Sequence, residues 1–138
     1  MGSDRLYFRQ LLSGRDFAPD DVIAQQMRNF AYLIGDRETG DAVKVDPAYA
    51  AGALLDTLEA DGMKLSGVLV THHHPDHVGG SMMGFELKGL AELLERVSVP
   101  VHVNTHEAQW VSRVTGIPMS DLTSHHHGYK VNVGDIEI

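Results

Sequence analysis

The feature that most constrains the fold is a short apolar strand flanked by two amphipathic helices. Residues 67–71 are largely apolar and rich in β-branched side chains, a composition typical of a strand that is buried on both faces. Apolar residues recur at helical spacing before this strand, at Ala51, Leu54, Leu55 and Leu58. They recur in the same way after it, at Leu90, Leu93, Leu94 and Val97. This alternation predicts an α/β domain in which helices pack on a sheet.

The segment before the first helix predicts a β-hairpin. Residues 29–34 and 41–46 have strand patterns, and the turn-forming residues 36–40 separate them. Asp46 and Pro47 then predict a helix start, because Asp can cap free amides and Pro tolerates the first helical position. Gly62 lies where a left-handed residue would end that helix.

The remainder of the chain continues the alternation of strand and helix. Residues 99–103 predict a strand, and a third helix should begin at a Thr105 cap and end at Gly116. Residues 129–138 predict two short strands around Gly134 and Asp135. Because no repeat or linker interrupts this order, we expect one domain.

Composition excludes several classes of function. The formal charge of −8 argues against nucleic-acid or anionic-membrane binding, because both partners require clustered Lys and Arg. The chain has no cysteine, so any metal must bind to His, Asp or Glu. Residues 1–12 lack the continuous apolar stretch of a signal peptide, and no later segment could span a bilayer. We therefore expect a soluble cytoplasmic protein.

A histidine-rich loop directly after the buried strand predicts a metal site. His72 and His74 are two residues apart, so both imidazoles can reach one cation from the same side of an extended segment. Asp76 and His77 could bind a second cation close to the first. Pro75 stiffens the turn between these pairs, and glycines at positions 79 and 80 let the backbone leave without an obstructing Cβ.

Other histidines and large apolar residues have simpler explanations. The second triplet, residues 125–127, is expected to form a solvated turn, although it could replace a missing metal ligand. His102 and His106 are expected to be structural or exposed. Trp110 and the pair at positions 82 and 83 are expected to pack near the loop, although they could line a substrate pocket.

The segment from Thr71 to His77 resembles the signature of the metallo-β-lactamase superfamily, Thr-His-x-His-x-Asp-His. The longer form Thr-His-His-His-x-Asp-His-x-Gly-Gly is most similar to glyoxalase II, the hydroxyacylglutathione hydrolases, with persulfide dioxygenases close behind. The resemblance extends from Asn29 to the segment Val133-Gly134-Asp135. It therefore implies the fold of this superfamily for most of the chain.

The resemblance also implies roles for the residues of the loop. His72 and His74 would bind a first zinc ion, and Asp76 and His77 would bind a second. Asp76 would in addition orient the attacking hydroxide, which makes it the candidate catalytic residue. His73 would be the variable position, oriented away from the metals.

Two further residues would support the loop without touching the ions. The resemblance assigns Asp46 to this role, in competition with its simpler interpretation as a helix cap. Thr71, at the start of the signature, is expected to belong to the same supporting layer.

Complete members of the superfamily form an αββα sandwich and take their remaining ligands from its carboxy-terminal half. Residues 1–138 are expected to form only the amino-terminal half, a mixed sheet with helices on one face, with the other half missing. Such a truncated chain is expected to be inactive alone. An exposed apolar sheet face would favour a homodimer or association with the missing half.

Three functions follow from these expectations. The first is hydrolysis of a small-molecule thioester, such as a hydroxyacylglutathione, by a metal-bound hydroxide. The second is a mononuclear iron persulfide dioxygenase, which would use two His and one carboxylate. The third is a non-catalytic half-domain that binds metal and self-associates.

Overall fold

The computed structural model describes residues 5–49, 51–82 and 85–138. The strands in chain order are β1 (Leu6–Leu12), β2 (Phe30–Asp36), β3 (Asp41–Val45), β4 (Lys64–Val70), β5 (Gly80–Met82), β6 (Phe85–Leu87), β7 (Val101–Asn104), β8 (Thr123–His125), β9 (Asn132–Val133) and β10 (Ile136–Glu137). The helices are α1 (Val22–Met27), α2 (Ala51–Ala60), α3 (Pro75–Val78), α4 (Leu90–Arg96) and α5 (Thr105–Thr115).

Six strands form one mixed sheet in the order β1-β2-β3-β4-β7-β8. The pairs β1–β2 and β2–β3 are antiparallel, whereas β3, β4, β7 and β8 run parallel to one another. The carboxyl ends of the parallel strands therefore lie at one edge of the sheet. The histidine-rich loop leaves the sheet at this edge, directly after β4.

The two faces of the sheet have different environments. Alternate residues of β7, Val101 and Val103, are buried in one core cluster with Leu54 of α2 and Leu93 of α4. On the opposite face, Phe8 of β1 is 54% exposed. The predicted arrangement, a mixed α/β sheet with helices on one face, is confirmed.

Several predicted elements are confirmed and two boundaries are corrected. The hairpin forms between β2 and β3, and Gly116 ends α5 with a φ of 78°. The prediction that α2 begins at Asp46 was wrong: α2 begins at Ala51, because Asp46 makes tertiary hydrogen bonds instead. Asn104, and not Thr105, caps α5 through its side chain.

One lysine is buried within the helix-covered face, close in sequence to Asp46. Lys44 is 1% exposed, and its Nζ makes no hydrogen bond to any described residue. It lies 5.0 Å from the centre of the Phe17 ring. Burial lowers the pKa of Lys44 to about 7, against a smaller raising effect of the Asp46 charge. Above neutral pH, the Lys44 amine is therefore mostly uncharged.

None of the described helices has the length and apolar character needed to cross a membrane.

Candidate metal centre

The metal loop, residues 71–78, consists of an extended segment and the short helix α3. His74 is extended, with ψ 137°, because the following proline disfavours helical backbone at that position. Pro75 then occupies the first turn of α3, which places Asp76 and His77 on that helix. The sequence predicted the loop but not this helical turn, which is only four residues long.

Asp46, the residue directly after β3, forms hydrogen bonds with residues near both ends of the metal loop. Its carboxylate accepts hydrogen bonds from the backbone N–H and the hydroxyl of Thr71, at 2.8 and 2.6 Å. It also accepts from Nδ1 of His77 at 2.8 Å. Asp46 has a φ of +55°, which is unusual for a residue with a side chain and is maintained here by these contacts.

This hydrogen-bond chain determines which nitrogen of each histidine is free. The single Thr71 hydroxyl proton goes to Asp46, so His72 must donate from Nδ1 to that hydroxyl, at 2.8 Å. His77 likewise donates from Nδ1, because a carboxylate can only accept. When neutral, both imidazoles therefore have an unprotonated Nε2, the form that binds a metal ion.

The rings of the loop histidines lie close together. The centre of the His72 ring is 4.7 Å from that of His74 and 4.2 Å from that of His77. Among the described residues, one group has ligand atoms all within 4.8 Å of one another: Asp46, His72 and His77. His74 and Asp76 are adjacent to this group but not part of it. Because Asp46 already accepts three hydrogen bonds, we consider it an orienting partner rather than a metal ligand.

Asp76 is oriented by a residue that the sequence did not predict. Its Oδ2 accepts a hydrogen bond from the side-chain amide of Asn29 at 2.7 Å, and its backbone carbonyl accepts from the same amide at 3.1 Å. The same Oδ2 lies 3.6 Å from Nε2 of His77. The buried Asp76 carboxylate therefore lies beside the free nitrogen of His77.

His73 contacts α5. Its backbone N–H and its Nδ1 both lie within hydrogen-bond distance of the Glu107 carboxylate, at 3.1–3.2 Å. Its ring centre is 5.9 Å from that of Trp110. Trp110 thus lies near the loop, as predicted, but it is 39% exposed. The predicted packing of Met82 and Met83 near the loop concerns side chains that lie outside the described part of the chain.

The pKa values of two loop histidines, His72 and His77, are shifted in opposite directions. The hydrogen bond to Asp46 raises the pKa of His77, although burial opposes it. Burial and the neighbouring His77 lower the pKa of His72. Burial alone would raise the pKa of Asp46, but the hydrogen bonds from His77 and Thr71 outweigh it, so that its pKa is lowered.

The two glycines after the loop are needed for close packing with other elements. Gly79 has a φ of 89°, and a Cβ there would lie 2.9 Å from the backbone of Gly89. Gly80 has a φ of 119°, and a Cβ there would lie 2.7 Å from the carbonyl oxygen of Val114. Each is therefore required by a neighbouring backbone rather than by the metal site itself.

The prediction that the whole second histidine triplet forms a solvated turn was wrong for one residue. His125 was expected in a solvated turn, but it is the last residue of β8 and is half-buried. Its Nε2 lies 2.9 Å from Nδ1 of His102, and the Tyr129 ring stacks on it at 3.6 Å. His126 and His127 are exposed in a turn, as expected, and His106 is also exposed.

The donors of the metal loop fit a borderline-soft divalent cation. They comprise imidazole nitrogens and a carboxylate, the ligand types that zinc and iron bind in proteins. Two of the imidazoles are already in the tautomer that binding requires. The predicted ligand set, His72, His74, Asp76 and His77, remains a prediction.

Comparisons with known proteins agree with this architecture. Residues 26–136 match the model of the metallo-β-lactamase superfamily. A hydroxyacylglutathione hydrolase from a Bradyrhizobium species is 40% identical over 108 residues, which are 78% of this chain and 36% of that protein. A hydroxyacylglutathione hydrolase from Rhodopseudomonas palustris is 41% identical over 80 residues, which are 58% of this chain and 27% of that protein. The chain thus spans only about a third of these relatives.

Solved structures show the same fold. A metallo-β-lactamase from Staphylococcus aureus superposes with a TM-score of 0.66 at 19% identity, covering 96% of this chain and 32% of that protein. ETHE1 from Myxococcus xanthus superposes with a TM-score of 0.65 at 25% identity, covering 95% of this chain and 45% of that protein. From the family match, the shared fold and the geometry of its histidine loop, we conclude that the chain belongs to the metallo-β-lactamase superfamily.

Proposed function

We propose that this chain carries metal ligands of a hydrolase that cleaves small-molecule thioesters of the hydroxyacylglutathione type. His72, His74, Asp76 and His77 would hold zinc, two ions in a complete site. The proposal rests mainly on the hydrogen bonds of Asp46, which orient two imidazoles and leave Nε2 of each available to a metal. Asp46 binds His77 directly and orients His72 through Thr71. The names of the relatives support the choice of thioester substrate.

The residues of the loop would each have a defined task in this reaction. When bound, the metal ions would act as Lewis acids and bring the pKa of water toward neutrality. His72 and His77 would bind through Nε2, because their Nδ1 atoms are engaged. Asp76, fixed by Asn29, would bind metal and accept a hydrogen bond from the attacking water. Asp46 and Thr71 would hold the loop in place.

Activity of the whole protein tests this proposal. Purified protein loaded with zinc should release thiol from a hydroxyacyl thioester of glutathione, measured with a thiol-reactive dye. Asp76→Asn should lower kcat by at least about a hundredfold, since it removes a charged ligand beside the reacting water. Asp56→Asn, an exposed change on α2, is the matched control and should leave kcat unchanged. A zinc-loaded protein that includes the proposed carboxy-terminal part and still has no thioesterase activity would reject the substrate class.

An iron-dependent oxygenase, the persulfide dioxygenase of the sequence analysis, is the second candidate. Two imidazoles and one carboxylate are also the donor set of mononuclear iron enzymes, and the Asp76 carboxylate lies 3.6 Å from Nε2 of His77, beside the His72 ring. Metal analysis of protein purified without added metal distinguishes the two functions. One iron per chain, with oxygen consumed in the presence of glutathione persulfide, would favour the oxygenase over the hydrolase.

We also propose that residues 1–138 form the amino-terminal part of a larger domain. The sheet face opposite the helices exposes Phe8, and Phe30 of the neighbouring strand is 49% exposed. Exposed apolar faces of this kind usually bind protein. Light scattering of the isolated chain, compared with that of Phe8→Ser, tests the need for cover: self-association that the substitution abolishes would support it. A stable wild-type monomer at high concentration would contradict it.

A further inference from the structure

We propose that Glu107 is a positioning residue for the metal loop, acting from α5 through His73. The inference rests on the proposed metal site, and it adds a residue that belongs to neither the ligand set nor the Asp46 network. Glu107 is 34 residues away from His73 in sequence and lies in the first turn of a different element.

Glu107 holds His73 by its backbone and its side chain together. The backbone N–H donates to Oε1 at 3.2 Å, and the ring Nδ1 lies 3.1 Å from Oε1 and 3.2 Å from Oε2. Both side chains are largely shielded, with 33% of His73 and 24% of Glu107 exposed. A partly shielded carboxylate that accepts from two donors of one residue restricts both its backbone and its ring.

This restriction matters because His73 lies between His72 and His74 in a segment with little other backbone support. Residues 71–74 lie outside the helices and strands, so no ladder of backbone hydrogen bonds fixes their conformation. Holding the backbone and ring of His73 therefore restricts the backbone that joins His72 to His74. The ring centre of His74 lies 4.7 Å from that of His72 and 5.1 Å from that of His73, and the His72 ring lies 4.2 Å from that of His77.

Glu107 and Asp46 hold different parts of the same short segment. Asp46, directly after β3, binds Thr71 and His77, on either side of the segment, and Glu107, from α5, binds the middle histidine. Because β3 and α5 are separate elements, the two carboxylates fix the ends and the middle of the loop independently.

The same side of α5 supplies further support. Glu107, Trp110 and Arg113 recur every three residues, a spacing that places them along one side of the helix. Trp110 lies beside the His73 ring, and the Arg113 guanidinium lies 4.8 Å from the Trp110 ring centre. Asn104 caps the helix start, which fixes the turn that carries Glu107.

Zinc affinity of the full chain, measured by competition with a chromophoric chelator, tests the inference. Glu107→Ala should weaken the tightest site up to about tenfold, the lower end of the range for groups that orient a metal ligand, because Glu107 acts through His73 and not on a ligand directly. Glu107→Gln should restore most of the affinity, because its amide oxygen can still accept from the His73 N–H. Glu59→Ala, which removes an exposed charge from α2, should match the wild type.

A spectroscopic measurement separates positioning from general stability. Cobalt loaded in place of zinc should give an altered visible absorption band in Glu107→Ala and an unaltered one in Glu59→Ala, while both unfold at similar urea concentrations. Tight wild-type binding with unchanged affinity and spectrum in Glu107→Ala would overturn the Glu107 inference alone. A wild-type chain that binds no zinc would overturn it together with the proposed metal site.

Discussion

The two histidine triplets of the chain, residues 72–74 and 125–127, have the same sequence but different surroundings. In the first, Asp46 and Glu107 determine the orientation of the rings, directly or through Thr71. In the second, His125 pairs with His102 and stacks on Tyr129. Within the described residues, no carboxylate is hydrogen bonded to His102 or His125. We therefore expect a neighbouring carboxylate, more than the number of histidines, to prepare imidazoles for a metal.

The histidines that lie beside the two triplets, His77 and His102, differ in the direction of their pKa shifts, whereas the pKa of His72, inside the first triplet, is lowered like that of His102. The pKa of His77 is raised, chiefly by its hydrogen bond to Asp46. The pKa of His102 is lowered by burial and by the adjacent His125. A histidine that is paired with a carboxylate is stabilised when charged, whereas one packed against another histidine is not.

The largest expected difference between the triplets is in metal binding. His72→Ala combined with His74→Ala should abolish tight zinc binding, a loss of more than about a hundredfold, because it removes two imidazole ligands. The matched double variant His126→Ala with His127→Ala should keep the wild-type affinity. Isothermal titration of the metal-free chain measures both. An equal loss from the two double variants would remove the distinction between the triplets.

A smaller effect is expected from the carboxylate that prepares the first triplet. Asp46→Asn presents an amide instead of an acceptor to His77, which favours a proton on Nε2, the nitrogen that should bind metal. We expect zinc affinity to fall ten- to a hundredfold. Asp56→Asn serves as the control of equal charge change. Chelator competition should show a loss only for Asp46→Asn; retention of full affinity would show that the tautomer is not set by this contact.

The smallest expected effect is in the titration of individual histidines in the metal-free chain. Nuclear magnetic resonance should give His77 a pKa above the ordinary 6.5 and His102 a pKa below it. Asp46→Asn should lower the value for His77, because it removes the largest cause of the shift. His125→Ala should raise that of His102 only partly, because burial is its larger cause.

These shifts also predict opposite effects of pH on stability. The contribution of charged His77 is fully present below pH 6.5 and is lost as the pH rises through its raised folded pKa. Protonation of His102 costs stability as the pH falls below 6.5. Urea unfolding of the metal-free chain between pH 5 and 8, compared with that of Asp46→Asn and of His125→Ala, measures the sign of each contribution to stability. Shifts of the same sign for both histidines would contradict the comparison.

Local sequence patterns predicted the parts of the structure that local interactions determine. The buried strand β4, the hairpin β2–β3 and the end of α5 at Gly116 follow from periodicity and turn chemistry. The loop itself was predicted because its histidines and Asp76 are consecutive in sequence. Edge strand β1 was not predicted, because its residues have no regular alternation of apolar and polar side chains.

Apart from Asp46 and Thr71, which the family resemblance had assigned to a supporting role, the polar contacts around the histidines could not be predicted, because the partners are distant in sequence. Asn29 is 47 residues from Asp76, Glu107 is 34 from His73, and His125 is 23 from His102. Each is a common polar residue whose partner depends on how the strands are ordered in the sheet. The helix-cap prediction for Asp46 was wrong for the same reason, since its three tertiary donors override the local preference.

The imidazoles of His72, His74 and His77 should converge with the Asp76 carboxylate on cation positions. Crystals of the chain grown with zinc, and measured at the zinc absorption edge, test this convergence most directly. We predict anomalous density within about 2.1 Å of His72, His74 and His77 nitrogens or the Asp76 carboxylate. Density confined to His102 and residues 125–127, with the first triplet free of metal, would contradict it.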